Sequence, residues 1–286
     1  MGNVIVAASP EFERASADDV ALMVEWAARE GWNPGLRDID AFRAADPDGF
    51  WIARVDGTPA ACMSLVTYDP SFAFLGFYIA HPDYRGRSIG FALWQHALAA
   101  CRADTIGLDG VVDQQDNYRK SGFVLAHRNI RYGGVPARST GSKDGLTAIT
   151  PEHLDAIAAY DAGLFPAGRT AFLEKWLGTD GHTGLVAQSG SRIGGFGVVR
   201  PCREGHKIGP LFADDADTAE RLFDGLTAQV PDGPVFLDPP EPNGPACRLA
   251  ERRGLAPVFE TARMYRGPAP GLPLERIFGI TTFELG

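Results

Sequence analysis

The chain has 286 residues, of which 45% are hydrophobic and 22% charged, so it is long enough for two folded domains and too apolar for extended disorder. Its formal net charge is −9, whereas nucleic-acid-binding proteins usually carry a basic face, so we expect no nucleic-acid partner. A small basic pocket within such an acidic body would suit an anionic cofactor.

The cysteine pattern and the hydropathy pattern exclude two further classes. The four cysteines are far apart, with neither a CxxC pair nor zinc-ligand spacing, so we expect reduced thiols and no metal site. The N-terminus lacks a basic region followed by a long apolar segment, and no apolar run approaches the ~20 residues that span a bilayer. We therefore expect a cytoplasmic protein without a membrane partner.

The first half of the chain alternates helices and strands. Ser16 is a suitable N-cap for the first helix, and Asp56-Gly57 suits the turn of a hairpin. The segment 72–79 is almost wholly apolar, as is typical of a central strand. The predicted helices span 17–30, 38–45, 88–102 and 117–121, and the predicted strands span 50–55, 59–68, 72–79 and 105–112.

The second half repeats this order. Gly57 and Gly190 lie in corresponding turns and Gly76 and Gly209 in corresponding strands, and each pair is 133 residues apart. We interpret this as a duplicated fold whose boundary lies in a Gly-, Ser- and Pro-rich stretch. The predicted units are 1–134 and 146–286, with a linker over 135–145 and one more strand over 276–283 that could join either sheet.

The most informative segment is the loop Arg85-Gly86-Arg87-Ser88-Ile89-Gly90, which leads from the buried strand into a helix. The orphan N–H groups of a helix N-terminus and the helix dipole favour an anion such as a pyrophosphate. The two glycines permit close backbone approach, and the two arginines add positive charge. The loop has neither the Walker pattern nor the dinucleotide GxGxxG.

The pattern Arg85-x-x-Ser88-x-Gly90 resembles the coenzyme A loop of the Gcn5-related N-acetyltransferase (GNAT) superfamily, with serine where that family usually has glycine. Downstream, Tyr118-Arg119-Lys120-Ser121-Gly122-Phe123 resembles the family's Tyr-x-x-x-Gly-Phe. The resemblance implies an α/β (α+β) protein of two tandem GNAT-like domains, each a mixed, mostly antiparallel twisted sheet flanked by helices. It also implies acetyl-CoA as a substrate, whose pantetheine arm pairs with the main chain of Phe77, Tyr78 and Ile79.

The resemblance further implies that an amine attacks the thioester directly. A tyrosine at the Tyr118 position usually acts as the general acid that protonates the leaving thiolate, whereas the opposing interpretation is a core aromatic residue. The family's asparagine seven residues earlier is replaced by Val111, and Gln114 or Gln115 is the candidate for its polar contact.

The general base is harder to assign. In this family the strand before the coenzyme A loop diverges from the next strand, and Asp109 lies in that next strand. Asp238 at the matching place of the second repeat favours a shared structural role for both residues instead. Glu25 and Glu30 are other candidates. The connection between the first two helices usually walls the acceptor pocket in this fold, so the predicted acceptor contacts are Glu30, Trp32 and Asn33.

The second repeat lacks this machinery. Its corresponding loop, 213–217, carries three aspartates that would repel a pyrophosphate, and Ala250 stands where a tyrosine would match Tyr118. The whole chain resembles a bacterial tandem family with a degenerate C-terminal domain, on the phrases 208–212, 262–267 and 282–286. Our hypothesis is that the second domain closes over the acceptor pocket, and the alternative is a purely stabilising role.

The predicted function is therefore N-acetyl transfer from acetyl-CoA to a primary amine, with a small molecule as the expected acceptor. Alternatives are transfer of a longer acyl group, transfer to a protein or peptide, a CoA-binding regulatory module without catalysis, and a structural protein. The retained Tyr118 argues against lost catalysis, and the intact phosphate loop argues against a structural protein.

Overall fold

The computed structural model describes residues 9–137, 145–190 and 192–286. The first half contains β1 (Glu11–Arg14), α1 (Ala17–Arg29), α2 (Ile39–Ala45), β2 (Phe50–Val55), β3 (Thr58–Asp69), β4 (Phe72–Ala80), α3 (Ile89–Ala100), β5 (Thr105–Val111), α4 (Gln115–Lys120) and β6 (Val124–Gly134). The second half contains β7 (Leu146–Ala148), α5 (Leu154–Asp161), α6 (Thr170–Gly178), β8 (Thr183–Ser189), β9 (Arg192–Pro201), β10 (His206–Ala213), α7 (Ala216–Thr227), β11 (Val235–Leu237), α8 (Gly244–Arg252), β12 (Ala256–Arg266) and β13 (Ile277–Gly279).

Local signals in the sequence account for the element ends. Ser16 forms a capping box with Asp19, whose backbone N–H donates to the Ser16 hydroxyl at 3.2 Å. Asp56 and Gly57 both have positive φ, at 50° and 73°, as a tight hairpin turn between β2 and β3 requires. The predicted strand over 276–283 is shorter than expected, because only Ile277–Gly279 pairs with another strand.

The strands form one mixed, mostly antiparallel sheet in the order β1-β2-β3-β4-β5-β12-β6-β11-β10-β9-β8-β7, with β13 beside β10. The parallel pairs are β4 with β5 and β10 with β11. The predicted fold class is confirmed, but the two repeats are joined by strand exchange. Strand β12 of the second half lies between β5 and β6 of the first, and β6 also pairs with β11.

The exchange bears on the predicted linker and boundary. Residues 138–144 of the linker lie outside the described residues. The division into 1–134 and 146–286 stays a prediction of where one repeat ends in the sequence. In space, each half supplies an interior strand to the other, so the two halves share one sheet.

The cores lie on both faces of this sheet, and several of them contain residues of both halves. Phe42 of α2 stacks on Trp176 of α6 with ring centroids 6.3 Å apart, and it contacts Phe77 of β4 edge-on. The buried Leu285 belongs to the same cluster. Within the described ranges no helix is both long and apolar enough to cross a membrane.

Buried ion pairs also join the two halves. Arg131 of β6 donates to both oxygens of Asp238, at 2.8 and 2.7 Å. Asp38, at the start of α2, pairs with Arg200 of β9 at 3.1 Å. Removing one partner of such a pair leaves an uncompensated buried charge, which costs about 3–5 kcal/mol. These pairs therefore fix how the repeats pack together.

Candidate active site

A cavity opens where β4 and β5 diverge. The two strands pair in parallel only from Phe72 to Leu75 on β4, opposite Thr105 to Leu108 on β5. Beyond Leu75, β4 forms a bulge. Gly76 pairs with Ser64 of β3 and Ile79 pairs with Cys62, so three residue steps on β4 lie opposite two on β3. Phe77 in this bulge has φ +48°, a strained conformation of the kind that clusters at functional sites.

The cavity has a volume of about 490 Å³. It extends from the loop before α3, along the bulged part of β4, to the end of β5 and the C-terminal residues. Its walls therefore come from both halves of the chain. The lining residues used below are Glu30, Trp32, Phe77, Tyr78, Ile79, Arg85, Gly86, Ser88, Ile89, Gly90, Asp109, Gln114, Tyr118, Phe259, Thr261, Phe283 and Glu284.

Most of the residues predicted to bind coenzyme A thus line one continuous cavity. Arg87 is the exception, since it lies on an adjoining outer groove with His81 and Asp83. Its guanidinium carbon is 5.3 Å from the centroid of the Tyr84 ring. Arg85 is tied down by its Nε, which donates to the Ala80 carbonyl at 3.0 Å, and by an ion pair with Glu30.

The loop reaches α3 through residues in left-handed conformations. Gly86 has φ +74° and Ser88, the residue before the helix, has φ +60°. The Ser88 side chain makes no capping hydrogen bond. Serine in place of the family's glycine therefore does not cap the helix. A Cβ at Gly90 would lie 3.2 Å from the Tyr78 hydroxyl, and the missing side chain keeps this wall open.

Tyr118 lines the same cavity. The ring stacks on Trp94 with centroids 5.6 Å apart, and a Cβ at Gly110 would collide with it. Burial raises the pKa of the Tyr118 phenol above its usual value, and the neighbouring Tyr78 adds to this effect. The hydroxyl therefore stays protonated across the neutral range, as a proton donor must.

Asp109 is held by three donors. Its carboxylate accepts hydrogen bonds from Arg263 Nε and Nη2, at 2.8 and 2.6 Å, and from Asn129 Nδ2 at 2.7 Å. Burial raises the pKa of the Asp109 carboxyl, and the Arg263 guanidinium opposes that shift. The carboxylate thereby crosslinks β5, β12 and β6. Its role as a general base stays a prediction.

The structure separates the three predicted acceptor contacts. Glu30 and Trp32 line the cavity, whereas Asn33 does not. The Asn33 side chain instead donates to the Glu204 carbonyl at 3.0 Å and accepts from the Glu204 N–H at 2.9 Å, which ties the loop to the second half. Of the other candidates, Glu25 pairs with Arg203 away from the cavity, and Gln114 lines it.

The corresponding splay in the second half is filled by the chain itself. Strands β10 and β11 pair in parallel only as far as Ile208 and Leu237. Beyond that point β13 pairs with β10, with Leu211 opposite Gly279. A Cβ at Gly209 would collide with the Thr281 carbonyl, so the chain passes very close to β10 here. Asp215 of the acidic loop caps α7, accepting from the Thr218 N–H at 2.7 Å.

Sequence reasoning did not assign a site role to four residues of the second half that line the cavity: Phe259, Thr261, Phe283 and Glu284. The phrase 282–286 carries a family resemblance but no chemical signal of its own. Only the path of the chain after β13 brings its end to the splay of the first half.

The comparisons with known proteins identify the family of this chain. Residues 17–123 match the acetyltransferase (GNAT) family and residues 157–279 match an acetyltransferase (GNAT) domain. A holothin acyltransferase of Pseudoalteromonas sp. (strain SANK 73390) is 33% identical over 273 residues, which cover 95% of this chain and 93% of that protein. The chain belongs to the GNAT family of acyltransferases.

The solved structures place this acyltransferase among tandem proteins. A candidate acetyltransferase from Pyrococcus horikoshii is 25% identical with a TM-score of 0.82, over 100% of this chain and 99% of that one. A tandem GNAT protein from the clavulanic acid biosynthesis pathway is 17% identical with a TM-score of 0.61, over 92% of this chain and 100% of that one. The predicted tandem arrangement is confirmed.

Proposed function

We propose that this acyltransferase moves the acetyl group of acetyl-CoA onto a primary amine of a small molecule, by direct attack within a ternary complex. One observation carries the proposal: the phosphate-type loop, the bulged strand β4 and Tyr118 line a single cavity. The order along the cavity matches the order of groups along an acyl-CoA, from pyrophosphate through pantetheine to thioester.

Residues of the first half provide for the donor. The N-terminus of α3 offers its orphan N–H groups to the pyrophosphate, and Gly86 and Gly90 leave room for close approach. Arg87 on the adjoining groove adds a positive charge outside the cavity. The main chain of Phe77, Tyr78 and Ile79 pairs with the pantetheine arm. Its strained bulge is the wall from which backbone donors can face the thioester oxygen.

The chemistry needs one proton donor at the sulfur. As the amine nitrogen bonds to the acyl carbon, the carbon–sulfur bond breaks and a thiolate leaves. Tyr118 donates its phenolic proton to that thiolate. Its raised pKa keeps the phenol protonated at neutral pH until the thiolate develops.

Acetyl-CoA binding tests the donor half of the proposal. We expect calorimetry to show one site per chain, and we expect the double variant Arg87→Glu, Ser88→Asp to lose it, because added carboxylates repel the pyrophosphate. The control is Arg37→Glu, a charge reversal at an exposed arginine that does not line the cavity, which should bind like the wild type. Absence of binding to the wild type would overturn the donor assignment.

Thiol release tests the transfer half. The protein with acetyl-CoA is offered a panel of primary amines that includes holothin, because the acyltransferase that shares 33% identity carries that name. We expect amine-dependent release of free CoA and an acetylated product by mass spectrometry. If the protein binds acetyl-CoA but acetylates neither the small amines nor lysine-containing peptides, the regulatory module is favoured instead.

A further inference from the structure

We infer that Glu284, carried by the C-terminal segment 280–286, is the general base for the acceptor amine, and that the acceptor carries its amine on an aromatic or flat apolar group. The inference rests on the proposed function and assigns the acceptor end of the same cavity. It also gives the second half of the chain a part in the chemistry.

The C-terminal segment is held firmly against the first half. The Tyr68 hydroxyl donates to the Leu285 carbonyl at 2.8 Å, and the Leu285 N–H donates to the Thr282 hydroxyl at 2.9 Å. A Cβ at Gly76 would collide with the Glu284 carbonyl, so the segment lies directly on β4 where β4 leaves β5. The Glu284 side chain is thus positioned on a fixed backbone beside the strand that we propose binds pantetheine.

The Glu284 carboxylate lacks the partners that Asp109 has. Glu284 is only 4% exposed and lines the cavity, yet its Oε1 has no hydrogen-bond partner in the described structure. A buried carboxylate oxygen without a donor is unfavourable, and use of the group by a ligand or a reaction is one explanation for it. Asp109, by contrast, accepts three hydrogen bonds.

Two cations lie near Glu284. Arg131 and Lys207 act on it electrostatically from β6 and β10. Arg131 is also paired with Asp238, and the Lys207 ammonium donates to the Asn33 carbonyl at 2.8 Å. The hydrogen bonds of both cations therefore go to other groups, and Oε1 of Glu284 has no donor among the described residues.

Aromatic side chains surround this end of the cavity. Phe283 and Phe259 have ring centroids 6.0 Å apart, and the Arg131 guanidinium lies 4.5 Å over Phe283. Arg131 also donates to the Trp32 carbonyl at 2.9 Å, which fixes the loop that carries the third aromatic wall. An alkylamine that carries an aromatic ring would place the ring among Trp32, Phe259 and Phe283 and its ammonium group toward Glu284.

The proton balance assigns each group one task. The ammonium gives one proton to Glu284, and the neutral nitrogen then bonds to the acyl carbon as the carbon–sulfur bond breaks. The thiolate takes the proton of Tyr118, and the second nitrogen proton restores Tyr118 through water. Glu284 releases its proton to solvent, so the products are amide, thiol and one proton.

The test compares the wild type with Glu284→Gln, using tryptamine as the acceptor and acetyl-CoA as the donor. We expect kcat to fall by on the order of 100-fold, the scale of a lost general base. We expect the rise of kcat with pH at the acid side of the profile to disappear, and acetyl-CoA binding by calorimetry to remain. Glu275→Gln, at an exposed position outside the cavity, is the matched control.

The outcomes distinguish a failure of this inference from a failure of the proposed function. A wild type that does not bind acetyl-CoA, or that acetylates no amine, contradicts the proposed function itself. A wild type that acetylates amines without an aromatic ring but not tryptamine overturns the aromatic acceptor. If Glu284→Gln keeps the rate and the pH profile, the base is elsewhere. If Asp109→Asn removes the pH dependence instead, Asp109 is the base.

Discussion

Tyr118 and Asp109 are both buried ionisable residues beside one cavity, and their partners distinguish them. Asp109 is bound by Arg263 and Asn129, so its carboxylate is engaged in joining three strands. Tyr118 packs by its ring against Trp94. Burial raises the pKa of both groups, and the raised pKa of the phenol keeps Tyr118 protonated at neutral pH, where it can donate that proton.

The Tyr118→Phe variant removes only the hydroxyl oxygen and tests whether Tyr118 is the proton donor. We expect acetyl-CoA affinity to be retained and kcat to fall by on the order of 100-fold, because only the proton donor is lost. Since the pKa of the phenol is raised, the wild type should show no loss of kcat from this group below about pH 10. Tyr160→Phe, outside the cavity, is the control. Equal turnover in both variants would contradict the acid role.

At the scale of elements, the same strand pair has two outcomes in the two repeats. In the first, β4 bulges and parts from β5, which leaves an open cavity. In the second, β10 parts from β11 in the same way, and β13 pairs with β10 in the gap. The second repeat thus pairs the edge of β10 with its own chain, where the first repeat leaves a cavity.

The junction of the phosphate loop with α3 gives a prediction for stability. Ser88 has φ +60° without a capping bond, and the left-handed region costs a non-glycine residue about 1–2 kcal/mol. Ser88→Gly removes this strain, although glycine loses more conformational entropy on folding. We therefore expect the free energy of unfolding to rise by up to about 1 kcal/mol and Tm to rise by a few degrees. Calorimetric scans check this. Ser88→Ala keeps the strain and should show no gain, and a Tm below that of Ser88→Ala would contradict the argument.

At the scale of the whole molecule, the duplication is not two independent bodies. Strand β12 lies between β5 and β6, and the C-terminal segment lines the cavity at the splay of the first half. The ion pair of Arg131 with Asp238 and that of Asp38 with Arg200 join the halves in their buried interior. The second repeat is therefore part of the first repeat's sheet and of its cavity.

Truncation tests this sharing of strands. A fragment of residues 1–134 loses β12 and β11, the partners of β5 and β6, so we expect it to be unfolded or insoluble and not to bind acetyl-CoA. Co-expression of 1–140 with 141–286 should yield a complex that binds it. Circular dichroism and calorimetry provide the measurements. A folded, acetyl-CoA-binding 1–134 fragment would show that the exchanged strands are dispensable.

The sequence by itself determined the features that depend on neighbouring residues. The turn at Asp56-Gly57, the cap at Ser16 and the loop from Arg85 to Gly90 follow from local backbone preferences and helix-end chemistry. The fold class and the duplication could be inferred from these patterns and from the family resemblance they carry.

Only the tertiary structure decided which distant segments meet. The insertion of β12 between β5 and β6, the diversion of Asn33 to Glu204 and the arrival of Glu284 at the cavity depend on contacts more than 100 residues apart. Strand partners and buried ion pairs are chosen by register and by burial of the whole assembly, for which no short sequence pattern carries a signal. The acceptor end of the cavity is built from these contacts, and the donor end from the local ones.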